Sequence, residues 1–131
     1  MTVWREYFGI TGRLRRRDYW LRWIISVVVI TILDVIASLL LGRSEGYWPA
    51  NPVSWALWLV SFWVGLALMV RRLHDRNKGP VWILVYNIPV IGWIWCVVEI
   101  GFLDGTPGPN RYGPSPKGVA AASSVAPTLV E

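Results

Sequence analysis

Two carboxylates lie inside apolar stretches of the sequence, where ionisable side chains are rare. Asp34 belongs to the run 21–42, and Glu99 belongs to the run 81–103. A carboxylate in hydrocarbon costs about 2.5–3.5 kcal/mol, so each should face protein and be paired or protonated. Helices running outward over both runs would bring Asp34 and Glu99 to similar depths. Together they could hold a proton or a cation; the alternative is a structural hydrogen bond that fixes helix packing.

The densest polar cluster follows the second apolar run and comprises Arg71, Arg72, His74 and Asp75. Because the guanidinium fork matches phosphate oxygens, such a cluster could bind lipid headgroups at a membrane surface. Arg13 and Arg16 precede the first run and are expected beside it. The structural alternative is that these cations anchor the topology and cap the second helix, whose C-terminus favours positive charge. Under either interpretation, Asp75 could form a bridge between arginines of the two segments.

Residues suited to catalysis are few. The chain has one histidine and one cysteine, Cys96, which lies inside the third apolar run. No metal site of ordinary ligand spacing is therefore expected, and no cofactor is indicated. His74 and Asp75 are sequence neighbours, and no serine has the strand–turn–helix context of a nucleophile. We predict no enzymatic activity.

Three apolar runs must position these side chains: 21–42, 53–70 and 81–103. Crossing about 30 Å of hydrocarbon takes about 20 helical residues, and backbone amides in lipid must be bonded within their own segment. The sequence therefore predicts an all-α membrane protein with three transmembrane helices in one domain, 1–117. The first run is too long for a signal-peptide core, which has about 7–15 residues.

The third run contains Pro89, which removes a backbone hydrogen bond and should kink the helix. A re-entrant hairpin is the alternative. The run is too short for two full crossings, since each needs about 20 residues, so we predict a kinked span.

The flanks of the membrane domain differ in character. Residues 1–19 place apolar and basic side chains on different helical faces, which predicts an amphipathic segment at the membrane interface. Residues 104–117 are rich in glycine and proline, which predicts an irregular tail. Residues 118–131 are small and featureless, and we expect them to be disordered.

Basic residues are distributed unevenly about the three runs. Ten precede the first run, stand at its threshold or lie between the second and third: Arg5, Arg13, Arg15, Arg16, Arg17, Arg22, Arg71, Arg72, Arg76 and Lys78. Three lie elsewhere: Arg43, Arg111 and Lys117. The positive-inside rule then predicts a cytoplasmic N-terminus, and three spans would put the tail outside. Clusters at this position favour anionic lipid rather than nucleic acid as a partner.

Three motifs together resemble the domain-of-unknown-function 805 family of small bacterial inner-membrane proteins. Residues 12–20, GRLRRRDYW, are similar to the family's G-R-x-x-R-x-E-Y-W, and residues 71–75 have its R-R-L-H-D. Residues 89–92, PVIG, and 105–113, GTPGPNRYG, match its P-x-x-G and G-x-x-G-x-N-R-Y-G. Residues 76–82, RNKGPVW, depart from the family's usual T-G-x-S-G-W, so any role of that serine is absent. The resemblance implies the fold, a bacterial inner-membrane location and no assigned reaction.

The sequence thus predicts a multi-pass inner-membrane protein that is a non-catalytic module, binding anionic lipid or a protein partner through its basic cytoplasmic face. The alternative is a small transporter or an ion- or proton-conducting subunit that uses Asp34 and Glu99. Because three helices enclose little volume, such a path would require self-association or a membrane-protein partner.

Overall fold

The computed structural model describes residues 3–43 and 51–118, and within these ranges it contains helices and irregular segments but no strand. The elements are α1 (Val3–Phe8), α2 (Arg16–Leu41), α3 (Pro52–Asp75), α4 (Trp82–Tyr86), α5 (Ile91–Cys96) and a π-helix (Val97–Phe102). Helices α2 and α3 are long and apolar enough to cross a membrane. The predicted all-α class is confirmed.

Helices α2 and α3 form an antiparallel pair over the first two apolar runs. Asn51 caps α3 by accepting a hydrogen bond from the Ser54 amide at 2.9 Å, and Pro52 occupies the first turn. Both helices are longer than the predicted spans. α2 begins at Arg16, before the apolar run, and α3 continues to Asp75. These polar extensions lie at the same end of the pair, because the Leu14 amide donates to Arg71 O at 3.1 Å.

The prediction of a continuous third span over 81–103 is wrong, because this segment is a helical hairpin. Helix α4 ends at Tyr86, a turn over 87–90 contains Pro89, and α5 with the π-helix runs back over 91–102. The returning arm is about 18 Å long at 1.5 Å per residue, short of the ~30 Å needed to cross. The hairpin begins and ends at the level where α2 begins and α3 ends, because the Lys78 amide donates to Leu73 O and Arg16 donates to Phe102 O.

Two residues at the bend allow the reversal. Val90 has φ +64°, a conformation that β-branched residues seldom adopt and that reverses the chain direction here. Gly92 lies against the first arm: a Cβ there would come within 2.5 Å of Val85 O and 3.0 Å of Tyr86 O. Only glycine permits this close approach of the two arms.

The returning arm is fixed against both long helices. The Trp20 indole donates to Gly101 O at 2.9 Å, and a Cβ at Gly101 would meet the Trp20 ring at 2.8 Å. Leu73, Tyr86 and Ile100 form a buried apolar cluster between α3 and the hairpin. The hairpin is thus anchored near the end of α3 rather than extended away from it.

The N-terminal segment is a short helix followed by an irregular stretch over residues 9–15. Tyr7 and Phe8 of α1 pack on a buried cluster formed by Leu14, Val64 and Leu68. The tail is irregular over 104–117, as predicted, with one isolated bridge between Asn110 and Gly113. The predicted disordered segment 118–131 lies outside the described residues except for Gly118, so its disorder and the domain boundary stay predictions.

Candidate functional site

Asp75 is the centre of a buried ionic cluster, which we call the Arg–Asp cluster: Arg13, Arg72 and Asp75. Asp75 Oδ1 accepts from Arg13 Nε at 3.0 Å, and Oδ2 accepts from Arg72 Nη1 at 2.5 Å. The exposed fractions of Arg13, Arg72 and Asp75 are 7%, 0% and 2%. The prediction that Asp75 bridges arginines of two segments is confirmed.

The two guanidiniums of the Arg–Asp cluster are also bonded to backbone carbonyls. Arg13 donates to Thr106 O at 2.7 Å and to Gly108 O at 2.6 Å. Arg72 donates to Ile100 O at 2.8 Å and also to Leu103 O. Buried charges are tolerated when paired and hydrogen-bonded, and these carbonyls complement the second positive charge. The donors of both side chains are therefore used within the fold.

The tail closes over the end of α3. The Thr106 amide donates to Asp75 O at 2.8 Å, and the Asn110 side-chain amide donates to His74 O at 2.9 Å. The first bond satisfies a carbonyl that the helix C-terminus leaves free, and the second adds to the Asn77 amide, which also donates to His74 O. A Cβ at Gly105 would overlap the Asp75 carboxylate, so the tail approaches closely only because glycine stands there. The predicted placement of the tail on the side opposite the N-terminus is thus wrong, since the tail contacts the N-terminal basic segment.

His74 joins the N-terminal segment to the tail. Its Nδ1 lies 3.1 Å from Gly12 O, and because a carbonyl only accepts, Nδ1 must donate. The imidazole stacks on Tyr112 with ring centroids 3.8 Å apart and planes 10° from parallel. His74 therefore acts as a packing contact between the three sequence motifs, which all meet at this end of the helix pair.

Glu99 lies at the same end and not beside Asp34. Its carboxylate accepts from Lys78, from the Tyr86 hydroxyl at 3.0 Å and from the Trp95 indole at 2.7 Å, and Arg76 lies 3.4 Å away. Only 3% of Glu99 is exposed. The carboxylate thus links the arms of the hairpin to the loop after α3.

Asp34 lies near the opposite end of the helix pair. Its Oδ1 accepts from the Ser54 hydroxyl across α2 and α3, so the prediction that Asp34 is paired with protein is confirmed. A groove of about 310 Å³, whose wall includes Thr31 and Ser61, runs beside it. Ser54 and Arg76 are about 33 Å apart along α3 at 1.5 Å per residue. The predicted joint site of Asp34 and Glu99 is therefore wrong, because the third segment turns back.

Exposed ion pairs lie on the surface of the end that contains the Arg–Asp cluster. Asp104 is exposed, with Lys117 Nζ at 3.0 Å and Arg16 Nε at 3.5 Å. The hydrogen bond from Lys117 and the positive charge of Arg16 hold the pKa of Asp104 below its usual value. The Lys117–Asp104 contact is thus present at neutral pH and lost as the pH falls through that lowered pKa.

The predicted lipid-binding residues divide into two groups. Arg13, Arg72, His74 and Asp75 are buried and bonded within the protein, whereas Arg16 is exposed and Arg71 is half-buried. Sequence reasoning missed the carbonyl acceptors of the tail, at Thr106 and Gly108 among others. The glycine-rich motif that ends in N-R-Y-G was the available indication that this tail is built to approach other chain segments closely.

Most of this chain matches one protein family. Residues 7–114 match a family described as "Protein of unknown function (DUF805)". The chain belongs to the DUF805 family. The matched range contains the Arg–Asp cluster and the tail residues Thr106 and Asn110, which bond to the end of α3.

Relatives of this DUF805 protein include inner-membrane proteins. It is 38% identical over 117 residues to "Inner membrane protein YhaI" of Escherichia coli K12, covering 89% of this chain and 93% of the relative. It is 33% identical over 118 residues to "Inner membrane protein YhaH" of the same strain, covering 89% and 94%. No solved structure matches significantly. These relatives, with the two apolar helices, support a bacterial inner-membrane location.

Proposed function

We propose that this DUF805 protein is a non-catalytic inner-membrane module that binds anionic lipid headgroups through the exposed part of its basic end. The observation that supports this most is the distribution of charge after the tail folds back. Twelve of the thirteen Lys and Arg residues belong to segments that meet at that end, and only Arg43 follows α2 at the other. Ten of the twelve are the basic residues that flank the first run or lie between the second and third runs. The other two, Arg111 and Lys117, reach this end because the tail folds back.

The same distribution supports an orientation. Short loops rich in Lys and Arg stay in the cytoplasm, so we assign the basic end to the cytoplasmic face. Residues 3 and 118, the first and last that the structure describes, would then both be cytoplasmic. With two membrane-crossing helices and a hairpin that enters only partway, the protein is multi-pass.

Exposed cations provide the lipid-binding surface in this proposal. Arg5, Arg17 and Arg111 are exposed and form no ion pair with a carboxylate among the described residues. Each such cation near an anionic membrane surface contributes about 1 kcal/mol. Trp4 is 73% exposed on α1, where an amphipathic aromatic ring suits the headgroup level. Arg13 and Arg72 are excluded from this role by their burial.

The test counts lipids that the purified protein retains from an equal mixture of phosphatidylglycerol and phosphatidylcholine, by native mass spectrometry. We expect an excess of phosphatidylglycerol that salt weakens, because the Debye length falls to about 3 Å at 1 M. Arg17→Gln should reduce the excess, up to roughly fivefold for a loss of about 1 kcal/mol. Arg43→Gln removes the same charge at the other end and should leave it unchanged. Equal retention of the two lipids, or equal effects of the two substitutions, would refute the proposal.

The geometry gives the transporter alternative less support than the lipid-binding proposal. The alternative required Asp34 and Glu99 to share a site, and they lie toward opposite ends of α3, with Ser54 and Lys78 as their respective partners. Self-association or a membrane-protein partner stays a prediction, with most of α2 exposed and available for it.

A further inference from the structure

Arg71 differs from the other sequestered cations of the protein. Within residues 3–43 and 51–118, each other buried or half-buried Lys or Arg has a carboxylate partner, whereas Arg71 has none. Its one hydrogen bond there runs from Nη1 to Glu6 O at 2.6 Å. Its Nε is fully enclosed and meets no acceptor among those residues. A half-buried guanidinium with unused donors is costly unless something complements it.

Arg71 lines a cleft of about 360 Å³ between α1, the chain that follows it and the tail. The other walls include the side chains of Arg5, Thr11, Tyr112 and Ser115. The volume is roughly ten times the ~30 Å³ that one water occupies in the liquid, which leaves room for a small polar group. The lining therefore offers three guanidiniums and several hydroxyl groups against a single carboxylate.

Glu6 is the acidic residue of this cleft, and its charge is already used. Its Oε2 lies 2.5 Å from Arg22 Nη2 on α2, and its backbone oxygen accepts from Arg71. Arg13, also in the wall, is neutralised by Asp75 at 2.9 Å. The net charge left in the cleft is therefore positive and comes from Arg5 and Arg71.

We infer that this cleft is an anion site for a phosphate group, with Arg71 as its principal ligand and Arg5 and Thr11 at its mouth. Arginine presents parallel N–H donors that match two oxygens of a phosphate, and the half-buried position of Arg71 strengthens that attraction relative to a fully solvated side chain. The same chemistry is offered by a lipid headgroup and by a free phosphate ester. The lipid version rests on the proposed function, whereas the free-ester version stands without it.

Two probes separate these sources. Glycerol phosphate is titrated by calorimetry into the full chain in a nonionic detergent, and phosphatidylglycerol is presented to the same protein in lipid nanodiscs against phosphatidylcholine. Binding by phosphatidylglycerol alone assigns the site to lipid; binding of glycerol phosphate assigns it to the phosphate ester itself. The inference is overturned if neither probe binds. It is also overturned if the protein retains phosphatidylglycerol equally well after Arg71 is substituted, although the proposed function would then still stand.

The variants are chosen in matched pairs. Arg71→Gln should weaken binding of the effective probe by about tenfold or more, as expected for a lost hydrogen bond to a charged group. Arg43→Gln, with the same charge change at the other end of the helix pair, should leave it unchanged. Because Arg71→Gln also removes the contact to Glu6, Thr11→Glu provides a second test that keeps Arg71 and adds a competing carboxylate. Thr11→Gln is its size-matched control, and equal binding by these two variants would overturn the inference.

Discussion

At the scale of single residues, Asp75 explains why so many cations can be buried at one end of this protein. It lies between Arg13 and Arg72, and its own backbone oxygen accepts from the Thr106 amide. Breaking a buried ion pair leaves an uncompensated charge, which is more costly than never forming the pair. Asp75 thus stabilises the contact between the start of α2, the end of α3 and the tail.

Asp75→Ala should lower the free energy of unfolding by about 3–5 kcal/mol, because two guanidiniums would stay buried without their shared carboxylate. Thermal unfolding in detergent, followed by tryptophan fluorescence, measures this. Asp104→Ala is the control, since Asp104 is exposed and its ion pairs are solvated, and it should change the midpoint little. A protein with Asp75→Ala that unfolds at the parent midpoint would show that the Arg–Asp cluster does not stabilise the fold.

At the scale of elements, the sequence predicts α2 and α3 well and the third segment poorly. Length and hydropathy are sufficient to predict a straight membrane-crossing helix, because few other structures accommodate about 20 consecutive apolar residues. The run 81–103 has the same hydropathy whether it crosses or bends. Local features determine that this segment bends: the close contact at Gly92, the positive φ of Val90, and the hydrogen bond between Lys78 and Glu99. The spacing of apolar residues in the sequence does not reveal any of these features.

Gly92→Ala tests the hairpin, because the added methyl group would overlap backbone oxygens of the first arm. Overpacking of this kind typically costs 1–3 kcal/mol, so we expect a clearly lower unfolding midpoint. Gly65→Ala in α3 is the matched control, since a Cβ there meets nothing within 4 Å. It should be neutral or stabilising, by up to about 1 kcal/mol from helix propensity. Equal destabilisation by both changes would contradict the close approach of the arms.

At the scale of the whole molecule, motifs that are distant in sequence meet at one end. The motifs of residues 12–20, 71–75 and 105–113 were visible in the sequence, and so was the bridging role of Asp75. Their contact with the tail was not, because the predicted third span placed 105–113 on the far side. Once the hairpin returns the chain, the Gly-rich segment supplies carbonyls to Arg13 and covers the end of α3. The candidate site therefore depends on the topology of the third segment.

The most direct test of this arrangement is a pulsed electron paramagnetic resonance distance between spin labels at positions 11 and 115, in a Cys96→Ala background in lipid nanodiscs. Both residues line one cleft, so we predict a distance well below the ~30 Å thickness of the hydrocarbon core. Labels at positions 11 and 43 are the control, and they should be farther apart than that, because α2 is 26 residues long, or about 39 Å. A distance between positions 11 and 115 as long as the control would mean that the third segment crosses the membrane, and it would contradict the convergence of the three motifs.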